Sequence, residues 1–369
     1  MSNNPLIYKI AVGMIPGIGS ITAKKLIAYS GSVEGIFGEK KSKLLKIPGI
    51  GEVLANEIVN SKVLDLAEKE LNFIEQFNIK PYFYLDENYP ERLKHCQDSP
   101  LILYVKGNAD LNSRKIISIV GTRKATLYGK NICEKLIEQM AELKHDLVIV
   151  SGLAFGIDIT AHKAALKNKL STIAVLGHGL KTIYPAVHSK YAKDIVDNGS
   201  LVTEFTSDIS ADRPLFVRRN RIIAGLADAT IVIESGIEGG ALITADIANS
   251  YNRDVFAVPG RTDDNMSIGC NRLIKTNKAH LLECIEDLEY VLGWESAKIK
   301  SKAIQKELFI NLTEEEKLIM EIIRTNNELS IDLICQAVKL PVSKVSPIML
   351  NLEFTGMVKS LPGKVYKAV

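Results

Sequence analysis

The chain of 369 residues contains no run of about 18 apolar residues, so no segment reads as a membrane span. Its start, Met1 to Lys9, lacks a basic stretch followed by an apolar one, and a secretory leader is not expected. The five cysteines (Cys96, Cys133, Cys270, Cys284, Cys335) are scattered and form no C-x-x-C. That argues against a disulfide frame or a structural zinc site and fits a reducing, cytoplasmic setting. No G-x-G-x-x-G opens the first strand-helix unit, so a dinucleotide is not favoured. There is no G-x-x-x-x-G-K-[ST] of a P-loop ATPase and no G-x-S-x-G nucleophile elbow. No cofactor or metal is expected. Nor is any part polybasic: the net charge is +3, with ten basic and eight acidic residues in 1–80 and seven of each in 311–369. Any polyanion must be held by a local cluster rather than by bulk charge.

What is present suffices for a large core: 46% of residues are apolar and 24% charged, and the length suggests two or three domains. Residues 1–80 contain a repeat. Ile15-Pro16-Gly17-Ile18-Gly19 recurs as Ile47-Pro48-Gly49-Ile50-Gly51, each copy followed by apolar residues at helical spacing. The pattern predicts helix, tight hairpin, helix, made twice, with glycines supplying the positive φ angles. Backbone amides in such hairpins can grip a phosphate oxygen, as in the helix-hairpin-helix DNA-binding module. The plainer alternative is a small helical domain that merely packs on its neighbour.

Residues 81–295 change texture. Short β-branched runs (Leu101–Val105, Ile116–Val120, Leu147–Val150, Thr172–Leu176, Leu201–Glu204, Thr230–Glu234, Val255–Val258) mostly alternate with 15 to 25 residues of helical periodicity. This predicts a largely parallel α/β sheet, with Leu101–Val105, which no helix follows, as an edge strand. Residues 296–310 read as a linker. In 311–369 a capping box at Thr313 and Glu316 opens the first of three helices, and two short strands flank a Pro362-Gly363 turn, a winged-helix pattern.

Three glycine-bearing strand-to-helix turns stand out: Gly121-Thr122-Arg123, Ser151-Gly152-Leu153-Ala154-Phe155-Gly156-Ile157-Asp158, and Ser235-Gly236-Ile237-Glu238-Gly239-Gly240. In an open parallel sheet these share one edge, where glycines and helix N-termini make an anion-binding rim that Arg123 can complete. Tight packing alone is the competing reading. The sharpest local feature is Arg213-Pro214-Leu215-Phe216-Val217-Arg218-Arg219-Asn220-Arg221, read as a loop entering a helix at Ile222. Its arginines suit phosphates and Phe216 suits a base. Otherwise it is a solvated face or a salt-bridge network with Asp228 and Glu234, Arg221 being the one expected to be structural. Asp158 and His162, four apart, are a base and partner or half a metal site; the commoner outcome is a capping Asp158 and a buried, satisfied His162. His178 has no evident partner.

Together these residues resemble the DNA-processing protein A (DprA/Smf) family over nearly the whole chain. The matches are Gly121-Thr122-Arg123 with Tyr128-Gly129, Ser151–Asp158 with Ala161-His162, Thr172–Leu176, Arg219–Leu226, Leu242–Ala245, and Val255–Gly260 with Gly269, Asn271 and Leu273-Ile274. The resemblance implies an extended Rossmann-like domain with variable flanking domains. It implies a non-enzymatic homodimer that binds single-stranded DNA, protects it and helps load RecA recombinase in natural transformation. By position, Arg123 resembles the family's phosphate-binding arginine and Phe216 its base-stacking aromatic, and Arg213 falls where a DNA-binding lysine often sits. Thr122, Val217 and Gly239 depart from the usual serine, proline and serine. The expected DNA-binding set is Gly121, Thr122, Arg123, Ser151, Gly152, Arg213, Phe216, Arg218, Arg219, Asn220, Gly239 and Gly240. The apolar stretch around Leu273–Leu292 is a candidate dimer surface. The rival is a nucleotide hydrolase of the nucleoside-monophosphate phosphoribohydrolase type, whose P-G-G-x-G-T-x-x-E turn stands here as Glu238-Gly239-Gly240-Ala241-Leu242-Ile243-Thr244. A weaker idea is a transcription regulator acting through residues 311–369, for which a protein-interaction role is equally open.

Overall fold

The computed structural model describes residues 4–60, 62–142, 146–294, 312–326, 328–361 and 365–368. The linker expected at 296–310 and the Pro362-Gly363 turn lie outside them. The chain forms two compact units, Met1–Ile299 and Lys300–Val369.

The repeat folds as its spacing predicts. Helices Pro5–Met14 and Ser20–Ser30 flank the first hairpin, and helices Lys41–Leu44 and Glu52–Asn60 the second. Gly17 and Gly49 take the positive φ values of 74° and 92° that reverse the chain. The same amide bonds recur: Ile18 to Ile15 and Ile50 to Ile47, then Ala23 to Gly19 and Ala55 to Gly51. Ala23 and Ala55 are fully buried, where the short side chain lets helices approach. Helix Val63–Gln76 closes this part, and its core runs on into Leu101 and into Phe83, Ile102 and Tyr104 of the sheet. Polar ties reinforce the junction. Lys9 pairs with Asp86 at 2.6 Å, and the buried Glu70 carboxylate accepts the Ser207 amide and hydroxyl, the latter at 2.6 Å.

The main sheet has nine strands: β1 (Lys80–Phe83), β2 (Ile102–Gly107), β3 (Lys115–Val120), β4 (Leu147–Ser151), β5 (Ser171–Val175), β6 (Gly199–Thr203), β7 (Ala229–Val232), β8 (Asp254–Ala257) and β9 (His280–Leu281). Their order is β1-β2-β6-β5-β4-β3-β7-β8-β9, with β6 through β9 parallel and β1 and β2 antiparallel. The segment Leu101–Val105 is therefore not an edge strand: β2 lies between β6 and β1. The expectation failed because β1, four residues containing Pro81, carries no alternating signal. Pro81 belongs at an edge, where its missing N–H costs no ladder bond.

Side chains alternate between two cores. Ile116, Val120, Val148 and Val150 face helices Arg213–Leu226 and Gly240–Ser250, while Ile117, Ile119, Leu147 and Ile149 face helices Leu127–Glu142 and Ile157–Lys167. Both faces are covered, as a Rossmann-like parallel sheet requires. From β3 the chain winds outward through β4 to β6, then returns to place β7 on the other side of β3. The β3–β7 boundary is thus the topological switch point, where neighbouring loops diverge and leave a crevice at the carboxyl ends of the strands.

The second unit is a winged helix. Helices Glu314–Asn326, Ile331–Val338 and Val342–Phe354 accompany a three-stranded sheet, β10 (Glu328–Ser330), β11 (Val358–Leu361) and β12 (Val365–Ala368), in the order β10-β12-β11. The Thr313 amide donates to Glu316 at 2.8 Å and the Glu316 amide back to Thr313 at 3.3 Å, the expected capping box. Among the described residues no single helix is long and apolar enough to cross a membrane.

Candidate nucleic-acid interface

A cavity of about 220 Å³ opens at the switch point, lined by Gly121, Thr122 and Arg123 after β3, Ala154 and Asp158 after β4, Arg219 and Asn220 from helix Arg213–Leu226, and Ser235, Gly236, Glu238, Gly239, Gly240, Ala241 and Thr244 after β7. All three glycine-bearing turns therefore meet at one rim. Close backbone packing sets their shape. The Thr122 amide donates to Glu234 at 2.8 Å and its carbonyl accepts the Ile157 amide at 3.2 Å. A Cβ at Gly121 would strike Ile157, and one at Gly156 would sit 2.1 Å from the Thr122 oxygen. Glu234, beneath, accepts the Thr126 amide and hydroxyl, and so fixes the start of helix Leu127–Glu142.

Gly239 and Gly240 differ from these packing glycines. A Cβ on Gly240 would meet nothing nearer than the Asn220 amide nitrogen at 3.8 Å, and one on Gly239 only the Ser235 hydroxyl at 3.3 Å. Both are exposed and open helix Gly240–Ser250, whose first-turn amides have no intrahelical acceptor. They face a cavity containing guanidinium groups, an arrangement suited to an anionic oxygen. Asn220 donates to the Gly240 carbonyl at 3.3 Å and steadies that loop.

The arginine cluster is not a loop. Residues Arg213–Leu226 are one helix, N-capped by Asp212, with Pro214 inside the first turn where proline is tolerated. Helical phase sends its arginines in different directions. Arg219 is buried and donates to the carbonyls of Gly152, at 2.8 Å, and of Val175. Burial lowers its pKa to about 10, offset in part by the Asp158 charge. Arg221 is buried too, bonded to Glu204 at 2.6 Å and to the Asp98 carbonyl. Arg218 reaches the surface but pairs with the same Glu204 oxygen at 2.7 Å and lies over Phe205. The network expected with Asp228 and Glu234 is instead centred on Glu204, since Asp228 pairs with Arg92. Arg218 is thus held by a carboxylate and Arg219 by two carbonyls, although Arg219 still lines the cavity.

Two further residues of the expected set do not line the cavity. Ser151 is fully buried in β4, its hydroxyl donating to the Ile119 carbonyl at 2.7 Å, so it points into the sheet and not at the rim. Gly152 is required because a Cβ there would lie 2.5 Å from the Arg219 guanidinium; it accommodates that side chain and is absent from the cavity lining. Arg213, at the helix start, is exposed. Arg123 is exposed and, among the described residues, forms no ion pair; its guanidinium lies 5.6 Å from the centroid of the half-buried Phe216 ring.

Asp158 does not cap its helix, whose N-cap is Gly156. It is buried in the first turn and takes backbone hydrogen bonds from Gly152 and Ala154. Burial raises its pKa, opposed first by the Arg219 charge. The Thr172 hydroxyl donates to Ile149 at 2.9 Å, so the buried His162 must donate to Thr172 through Nδ1, 2.8 Å away, leaving Nε2 bare. Neither residue belongs to a metal-binding group among the described residues. His178 accepts the Tyr184 amide and holds the Gly179 carbonyl, a loop-fixing role. Sequence reasoning missed Glu204 and Tyr184. Both depend on contacts between segments far apart in the chain, and no local spacing signals them.

Three family profiles match this chain: "DNA recombination-mediator protein A" over residues 80–292, "DprA winged helix domain" over 310–364, and "SAM-like Helix-hairpin-helix tandem" over 11–61. Protein Smf of Escherichia coli is 33% identical over 302 residues, 80% of this chain and 79% of that protein. DNA processing protein DprA of Streptococcus pneumoniae is 37% identical over 256 residues, 64% of this chain and 89% of that protein. The crystal structure of the Streptococcus pneumoniae protein superposes with a TM-score of 0.65 at 32% identity, covering 79% of this chain and 98% of that one. A structure of Helicobacter pylori DNA processing protein A, described for its single-stranded DNA binding mode, gives 0.53 at 29% identity, covering 58% and 96%.

Proposed function

The chain belongs to the DNA recombination-mediator protein A family, and from that premise we propose that it binds single-stranded DNA at the switch-point rim. The observation that carries this is the meeting, in one crevice, of open helix-N-terminal amides at Gly239-Gly240 with Arg123, which has no ion-pair partner among the described residues. Phosphates would rest on those amides and on Arg123, with Gly121, Thr122 and Asn220 shaping the cradle, and the exposed Arg213, at the start of the helix that carries Phe216, would add a further cation. Phe216, against Arg123, supplies an aromatic surface for a base. Backbone and guanidinium contacts read phosphate, not base identity, so binding should be nearly sequence-blind and salt-sensitive. The narrow cradle favours a single strand, whose bases are free to leave the stack.

Family membership supports a wider reading: a cytoplasmic, non-catalytic protein, dimeric through its Rossmann-like domain, that protects incoming DNA and helps load RecA in transformation and recombination. The test is fluorescence anisotropy with a labelled 20-nucleotide single strand and the matching duplex, plus co-precipitation with RecA. Preferential binding of the single strand supports the proposal; equal or stronger duplex binding opposes it. Incubation with nucleoside monophosphates separates the hydrolase reading, which requires release of free base.

A further inference from the structure

Tyr184, in the loop after β5, lies with its ring centroid 5.5 Å from that of Phe216 at an interplanar angle of 31°. Phe216 is the less available of the two. A Cβ on Gly177 would come within 2.6 Å of its ring, Arg123 lies 5.6 Å from its centroid, and Tyr184 covers it further. Tyr184 itself is 49% exposed. Its backbone is nonetheless fixed: the amide donates to the buried His178 at 3.2 Å, and the His178 carbonyl accepts the Thr203 hydroxyl at 2.8 Å. A large, exposed, pre-positioned ring thus ends the series Arg123, Phe216, Tyr184, which starts at the phosphate cradle. β3 and β5 are two strand spacings apart, about 10 Å along the rim.

We infer that Tyr184 is a further base-stacking residue, receiving a base of the same single strand next to the one at the Phe216 end of the rim. This rests on the single-strand reading above and extends it towards β5. The occupant is a nucleic-acid base because the ring continues a cation-containing cradle for phosphates; a flat π-face there accepts any base, in keeping with sequence-blind binding.

The experiment uses the full chain with two labelled 12-mers, oligo-dT and an oligomer of abasic residues, and the variants Tyr184→Ala, Tyr184→Phe and Arg123→Ala. Expected on oligo-dT is a weakening of about 5- to 150-fold for Tyr184→Ala, the range that stacking one base accounts for, and less than about 2-fold for Tyr184→Phe, which keeps the ring. On the abasic oligomer Tyr184→Ala should match the wild type, because there is no base to stack. An equal loss on both oligomers would make Tyr184 merely structural and overturn the inference. So would wild-type affinity of Tyr184→Ala alongside a loss for Arg123→Ala, in which case the cradle stands without the stack. No loss in either variant removes the single-strand reading itself. On the wild-type protein, ultraviolet cross-linking to 5-iodouracil in the 12-mer should modify Tyr184; adducts confined to other residues count against the assignment.

Discussion

The Nη1 of Arg219 lies 2.8 Å from the carbonyl oxygen of Gly152, joining helix Arg213–Leu226 to the turn after β4 from inside the protein. That one contact explains why a glycine is needed at 152 and why an arginine from a cationic cluster is withdrawn from solvent. Gly152→Ala should therefore cost about 1–3 kcal/mol of stability by overpacking the guanidinium. Arg219→Ala should cost about 3–5 kcal/mol, since Asp158 stays buried without its strongest opposing charge. Thermal denaturation checks both, and Tm values equal to that of the wild type would refute this account of the helix.

Arg123 and Arg218 should behave differently although both are exposed arginines lying over an aromatic ring, Phe216 and Phe205 respectively. Arg123 has no ion-pair partner among the described residues, whereas Arg218 is held by Glu204 at 2.7 Å. Arg123→Ala should weaken single-strand binding by about 1–3 kcal/mol and flatten the plot of log K against log salt by about 0.7. Arg218→Ala should leave both nearly unchanged. Titrations at several salt concentrations distinguish the pair.

Glu238 is an exposed carboxylate on the cavity wall. It opposes a phosphate, so Glu238→Gln should tighten binding, by no more than about 1 kcal/mol for an exposed charge in water. Weaker binding would mean that this carboxylate contributes to the ligand's hydrogen bonding.

His162 should set an acid limit on the fold. Burial depresses its pKa from the ordinary 6.5 to about 3, with the Arg219 charge acting in the same direction. Between those values the unfolded chain binds a proton that the folded chain refuses, so stability falls as pH drops from about 6.5 through 3, by about 5 kcal/mol in full. Denaturant melts of the wild type and of His162→Gln over that range should show a shallower pH slope in the variant. Parallel slopes would show that other groups dominate.

The sequence made the sheet and the rim legible for different reasons. Seven of the nine main-sheet strands lie within the β-branched runs, allowing shifts of a residue or two, because strands covered on both faces, the six parallel ones and β2, are written as apolar runs. Strand β9, with two residues, is too short to leave such a pattern, and β1 contains Pro81 and has no β-branched residue. The glycine turns were readable because strand-to-helix connections of a parallel sheet share one edge. What stayed hidden was the fate of each arginine in Arg213–Arg221. Arg218 and Arg221 meet on Glu204, 14 and 17 residues earlier in the chain, while Arg219 turns inward to Gly152. Composition shows the charge but not the helical phase that distributes it, nor the carbonyls and carboxylate that receive it. Tyr184 was invisible for a similar reason, since only tertiary packing brings it to Phe216.

Gly240→Asp tests the cradle most directly, because it separates fold from binding. A Cβ at this position meets nothing closer than 3.8 Å, and a carboxylate in the first helical turn favours the helix dipole, so the Tm should hold or rise slightly. The same carboxylate would occupy the phosphate position, and affinity for a 20-nucleotide single strand should fall by at least about 10-fold, or 1.4 kcal/mol. A folded Gly240→Asp protein that binds the strand as tightly as the wild type would contradict a phosphate cradle at the switch point.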